Sequence, residues 1–240
     1  MNTNTSITTC QSCGTSGVTK FCSNCGEELH IHRITVSHIL HEVVHLLTHL
    51  DKGLLYTLKL LVLKPGFMQK EYIAGKRRLH QKPFSTFFVC GTMAALALYW
   101  INIAVANLYS SGDEHEMHFY QHYFAILQMC LVPVYALIGR WVFNINYNYA
   151  EYLVIQLYNI SILFIFVILA NSLKLIFGNF ESGYIEIVFV LGYNIITYLN
   201  LFSTQSKVSV ILKTLISSVL CFAASRVAMG VFIKYIMGHN

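Results

Sequence analysis

Five stretches of this chain are each apolar and long enough to cross a lipid bilayer: Phe84–Leu108, Phe119–Gly139, Tyr152–Ile176, Tyr184–Phe202 and Val208–Met237. A spanning helix needs about 20 mostly apolar residues. Inside the hydrocarbon each backbone amide has to find its partner within its own segment, and a helix does that. The pattern therefore predicts an all-α integral membrane protein with about five transmembrane helices, occupying 84–240. The fourth run is the one most interrupted, by Glu186 and Asn194. Only 11% of the 240 residues are charged, against roughly 25% in a soluble domain, so lipid is the main solvent.

The few charges are unevenly placed. Ten of the sixteen Lys and Arg residues precede Pro83. Basic residues mark the cytoplasmic side of a span, so Lys64 to Lys82 put the N-terminal part inside. Arg140 and Lys207 then fall in inner connectors, and Asp113, Glu114 and Glu116 fall outside. Lys174 and Lys234 run against this rule and would snorkel from the outer ends. An odd number of spans sends His239-Asn240 to the periplasmic side. The net charge of +5 reads as a basic belt drawn to anionic lipid headgroups. No nucleic-acid motif accompanies it, and nucleic acid is not an expected partner. Met1 to Thr9 lacks the basic, apolar and small-residue regions of a signal peptide, so the head is expected to stay in the cytosol.

That head, residues 1–29, contains Cys10-Gln-Ser-Cys13-Gly14 and Cys22-Ser-Asn-Cys25-Gly26. Each pair sets two sulfurs around a tight turn, and two facing pairs build a closed tetrahedral thiolate site. So short a segment has no core of its own, and metal binding would supply its folding energy. Structural zinc on Cys10, Cys13, Cys22 and Cys25 is the expectation. An iron site or two disulfides are the alternatives, and the inferred reducing compartment opposes the latter. Cys90, Cys130 and Cys221 stand singly in apolar runs and read as small buried hydrophobes.

Residues 30–83 join the head to the membrane part. At 100° per residue, His38, His41, Glu42, His45, Thr48, His49 and Lys52 share one face of about 120°, with Ile39, Leu40, Val43, Val44, Leu46, Leu47 and Leu50 opposite. The spacing predicts an amphipathic helix over Val36–Lys52 lying in the membrane interface. His41-Glu42-Val43-Val44-His45 matches the H-E-x-x-H pattern, in which two histidines ligate zinc and the glutamate acts as base on bound water. A third ligand would come from His49, Asp51 or Glu71. His49 is an awkward choice, since it lies about 12 Å from His41 along a helix axis. A catalytic zinc, a second non-catalytic metal site and a solvated or headgroup-facing stripe are the three readings, and dense histidines generate the pattern easily by chance. A second amphipathic helix over Leu54–Lys64, ended by Pro65-Gly66, and a third over Phe67–Arg78 complete the collar.

Several ordered elements carry a resemblance. These are the two Cys-x-x-Cys-Gly knuckles, His41-Glu42 with His45 and His49, Asp51-Lys52-Gly53, Thr57-Leu58-Lys59, Pro65-Gly66, Tyr72-Ile73 with Gly75-Lys76-Arg77, and Pro83. Together they resemble a bacterial family of multi-span membrane proteins with an N-terminal zinc ribbon, catalogued as a domain of unknown function. The resemblance covers roughly the first 85 residues, and the membrane part only in general character. It implies a ribbon and a bacterial inner-membrane location, and it brings no reaction, substrate or partner. The chain is more loosely similar to the Yip family of five-span trafficking proteins.

Charged groups inside spans are costly and need acceptors. Arg226, deep in the fifth run, is the costliest, and Glu186 is its nearest candidate partner. Asn102, Asn159, Asn171, Asn194 and Asn200 are expected to hydrogen-bond helices to one another. The functional reading is a binding, regulatory or scaffold protein of the inner membrane, its ribbon available to a protein partner. The alternatives are a membrane-associated zinc hydrolase using His41, Glu42 and His45, and a small transporter centred on Arg226.

Overall fold

The computed structural model describes residues 8–29, 35, 53–109, 115–144, 147–178 and 180–237. The expected Val36–Lys52 helix, with His41, Glu42, His45, His49 and Asp51, lies outside the described residues. Among the described residues seven α-helices follow the head: α1 (Leu54–Leu63), α2 (Phe67–Ile73), α3 (Pro83–Tyr109), α4 (His115–Phe143), α5 (Tyr149–Ser172), α6 (Gly183–Leu201) and α7 (Lys207–Met237). Five of them, α3 to α7, are long and apolar enough to cross a membrane. In α4 the apolar stretch is the second part, Ile126–Phe143, and the helix itself starts earlier, at His115.

The bundle is arranged around α5. Two thirds of its apolar window is buried (67%), against 17% for those of α6 and α7, so α5 has protein neighbours where the outer helices have lipid. Asn148 fixes its start: the side-chain oxygen accepts from the Glu151 amide at 2.8 Å, and the Glu151 carboxylate accepts from the Asn148 amide at 2.6 Å. This reciprocal cap satisfies two otherwise orphaned donors. On one side α5 meets α3 and α4, with Phe164 packed on Phe87 and against Gly91. Towards its start, Tyr152 and Ile155 join Phe143, Tyr198 and Phe202 in a second apolar cluster.

The α1–α2 hairpin is built into the bundle. Leu61, Met68 and Tyr72 are buried against Ala150, Val154, Tyr158 and Ile162 of α5. The turn between the two helices approaches α6 closely. Asn200 Nδ2 donates to the Pro65 carbonyl at 2.8 Å, and Tyr193 Oη donates to the Leu61 carbonyl at 3.1 Å. Gly66 has φ +81°, and a Cβ there would collide with the Thr197 carbonyl. Only glycine meets both conditions at low cost. The Gly66 amide donates to Gln69 Oε1 at 2.7 Å, Gln69 Nε2 donates to Asn159 Oδ1 at 3.1 Å, and Asn159 Nδ2 donates to Asn194 Oδ1 at 3.2 Å. A continuous polar chain therefore runs from the hairpin through α5 to α6. Asn159 lies about 15 Å along α5 from its first residue, so the hairpin reaches well into the bundle.

Two expectations change here. The third collar helix stops at Ile73 rather than Arg78, because Gly75 turns the chain with φ +111° and releases Lys76-Arg77-Arg78 into a loop. The second, α1, is apolar on both sides: Leu61 faces the bundle while Leu55, Val62 and Leu63 are exposed. Four of the asparagines do join elements as expected: Asn159 to Asn194, Asn171 to Glu186, and Asn200 to Pro65.

The four-cysteine site and its link to the membrane part

Each half of the head is one knuckle built in the same way. The amides of Cys10 and Cys22 donate to the carbonyls of Thr15 and Glu27, and the amides of Gly14 and Gly26 donate back to Cys10 and Cys22. Both glycines have positive φ, 75° and 72°, which turns the chain back beneath the sulfurs. Thr8–Thr9 pairs antiparallel with Ser16–Gly17, and Phe21 bridges Glu28. The two turns bring Cys10, Cys13, Cys22 and Cys25 together, with all four Sγ atoms within 4.8 Å of one another. The Cys10–Cys25 and Cys13–Cys22 sulfur pairs are each 3.5 Å apart, and none of the four is in a disulfide. Four thiolates at about 2.3 Å from one tetrahedral metal would sit about 3.8 Å apart. The cluster is close enough to bind a metal ion.

The thiols do not ionise alike. Hydrogen bonding with the Thr15 hydroxyl and amide pulls Cys13 down to about 6. Cys25 gains from the Glu27 amide, yet loss of water and the neighbouring sulfurs push it up to about 12. Four clustered thiols cannot all carry charge without a cation between them, which is what a divalent metal supplies.

The head is attached to the membrane part through Glu27, which is buried. Its Oε2 accepts from the Ser12 hydroxyl at 2.8 Å and from the Arg78 amide at 3.1 Å. The Arg78 guanidinium lies over Gly26, about 3.6 Å from where a Cβ would stand. One carboxylate, carried by the second knuckle, thus bonds the first knuckle and the loop that precedes α3. Two residues on from Arg78, His80 is buried, stacked on Tyr56 and edge-on to Tyr72. Its Nδ1 has no partner among the described residues. Burial pushes its pKa down, opposed by the carboxylates of Glu71 and Glu27 and aided by Lys76. Sequence reasoning passed over both Glu27 and His80. The second knuckle's spacing concerns sulfur alone, and nothing local distinguishes His80 from the other histidines.

Among the described residues, the other expected site residues lie outside the cysteine cluster. Glu71 is on the exposed face of α2, in an ion pair with Lys76 at 2.7 Å. Glu186 and Arg226 line one cavity of about 610 Å³ between α4, α5, α6 and α7. Glu186 accepts from Asn171 Nδ2 at 3.1 Å. No ion pair joins it to Arg226 among the described residues.

Residues 51–94 match the model of one family, described as "Protein of unknown function (DUF3667)". The match spans α1, the Pro65-Gly66 turn, α2, the basic loop and the first part of α3, under a fifth of the chain. It takes in neither the four cysteines nor the cavity. No curated protein and no solved structure matches the chain.

Proposed function

We propose that this is a membrane-embedded binding or regulatory protein in which a zinc-loaded ribbon, residues 1–29, controls the juxtamembrane segment 30–83 on a membrane domain, 84–240. The observation that carries this reading is the Glu27 carboxylate, which projects from the second knuckle and accepts from Ser12 of the first knuckle and from the Arg78 amide. Because the knuckles take their shape from whatever ion holds the sulfurs, loading the ribbon positions Glu27, and Glu27 positions the basic loop. Zinc suits four thiolates on two short turns better than other ions, since its closed tetrahedral sites have this ligand set. The basic belt favours anionic lipid headgroups, and the exposed face of the ribbon is open to a protein partner. The positive-inside pattern supports a cytosolic ribbon and a periplasmic C-terminus. The family resemblance supports the bacterial inner membrane.

The test is metal analysis joined to proteolysis. Purified protein is expected to hold one zinc per chain. Cys25→Ser is expected to lose it and to expose Lys76, Arg77 and Arg78 to trypsin. Protein that carries iron, or that has oxidised cysteines and no metal, would remove the zinc reading. A metal-free variant whose loop stays protected would remove the control.

A further inference from the structure

The cavity between α4, α5, α6 and α7 has a composition that limits what it can hold. Its volume of about 610 Å³ falls in the range of small-molecule sites, roughly 300–1,000 Å³. Along α6 it extends from Gly183 to Tyr198, about 22 Å of helix, so it is elongated. Its walls are mainly aliphatic and aromatic, and the polar groups at mid-depth are used by one another. Gln156 Nε2 donates to Tyr198 Oη at 3.0 Å, Tyr135 Oη donates to Gln128 Oε1 at 3.2 Å, and Asn159 donates to Asn194. With those groups satisfied, the middle of the cavity offers an apolar surface. The α1–α2 hairpin is tied to two of its lining residues, since Asn159 is held by Gln69 and Tyr193 by Leu61.

Two ions of opposite sign also line the cavity. Arg226 is exposed and has no hydrogen bond or ion pair among the described residues. Glu186 is half-buried and spends one oxygen on Asn171. The two do not pair with each other, although both belong to the same wall set. A guanidinium and a carboxylate held apart at one cavity form a receptor for a dipolar group, one anionic and one cationic end. Ile187, Val219 and Phe222, also in the wall, are exposed apolar residues, which puts the approach on the lipid-facing flank of α6 and α7.

We propose that the cavity binds a zwitterionic phospholipid: Arg226 takes the phosphate, Glu186 takes the ammonium, and one acyl chain fills the apolar length. A purely anionic amphiphile would meet Glu186 unfavourably, and an uncharged one would leave both ions without a countercharge.

Native mass spectrometry of the full chain in detergent, titrated with phosphatidylethanolamine or phosphatidylglycerol, tests this. Wild-type protein is expected to retain one phosphatidylethanolamine at least tenfold more tightly than phosphatidylglycerol. Glu186→Gln, nearly isosteric, is expected to erase that preference while leaving phosphatidylglycerol binding intact or stronger. Arg226→Gln is expected to weaken both lipids about tenfold. Leu163→Trp, which fills the cavity from α5, is expected to abolish both. An unchanged lipid ratio in Glu186→Gln overturns the proposal, and so does equal affinity of wild type for the two headgroups. Because the Glu186→Gln ratio is read on a protein that still binds phosphatidylglycerol, the outcome does not depend on whether Leu163→Trp folds.

Discussion

Replacing Glu27 with Ala strips the carboxylate from Ser12 and from the Arg78 amide at once. Hydrogen bonds to a charged acceptor are worth about 1.5–3 kcal/mol each, so the head should detach from the loop while the sulfurs remain in place. The expected result is a protein that keeps its metal and is cut by trypsin at Arg77 and Arg78; an uncut loop would mean that other contacts hold it. His80 offers a test by pH. Burial lowers its pKa below the ordinary histidine value, so the folded state binds fewer protons than the unfolded state as pH falls. Stability from this group is complete above about 6.5 and is lost as pH drops through the depressed folded value. Melting temperature should decline over that acidic window, and His80→Gln should flatten the decline. The groups facing this ring include Glu71, Glu27 and Lys76. Losing either carboxylate should deepen the depression.

At the scale of elements, the hairpin α1–α2 depends on one side chain. Gln69→Leu leaves the Gly66 amide and Asn159 Oδ1 without their partner. Two unsatisfied buried groups cost about 2–5 kcal/mol together. A calorimetric scan in detergent should show that loss. Combining Gln69→Leu with Asn159→Leu should cost less than the sum of the two, because residues in one hydrogen-bonded chain couple. The same hairpin shows what a sequence does and does not display. The spans were legible because twenty apolar residues in a row have few other structures open to them, and the cysteine cluster because two knuckles with this spacing fold back on their own sulfurs. The burial of α1 was not legible: its partners Tyr193 and Asn200 lie some 130 residues on, and an apolar helix next to a basic belt reads equally well as an interfacial one. The end of α2 was misplaced for a similar reason, since Lys76-Arg77-Arg78 are good helix formers and only the turn at Gly75 stops them. The cavity has no local signature, being a space left between four helices.

At the scale of the molecule, the proposed crossing by all five apolar helices would place the two ends on opposite sides. A phosphatase fused after Asn240 should be active in the periplasm and one fused after Ser206 inactive; the reverse pattern would move the ribbon out of the cytosol. The order of synthesis adds a constraint that the finished fold conceals. The hairpin leaves the ribosome before any span, yet the groups that hold it, Tyr193 and Asn200, are 132 and 135 residues further along the chain. At about 5–20 residues per second, the hairpin waits roughly 7–26 seconds before its Leu61 and Pro65 carbonyls are matched, although its apolar face meets α5 sooner. The hydrogen-bonded closure of the hairpin is therefore a late event that reports completion of α6. A chain truncated before that helix would present an incompletely closed amino-terminal segment to cytosolic proteases, which would make the first part translated the last to be protected.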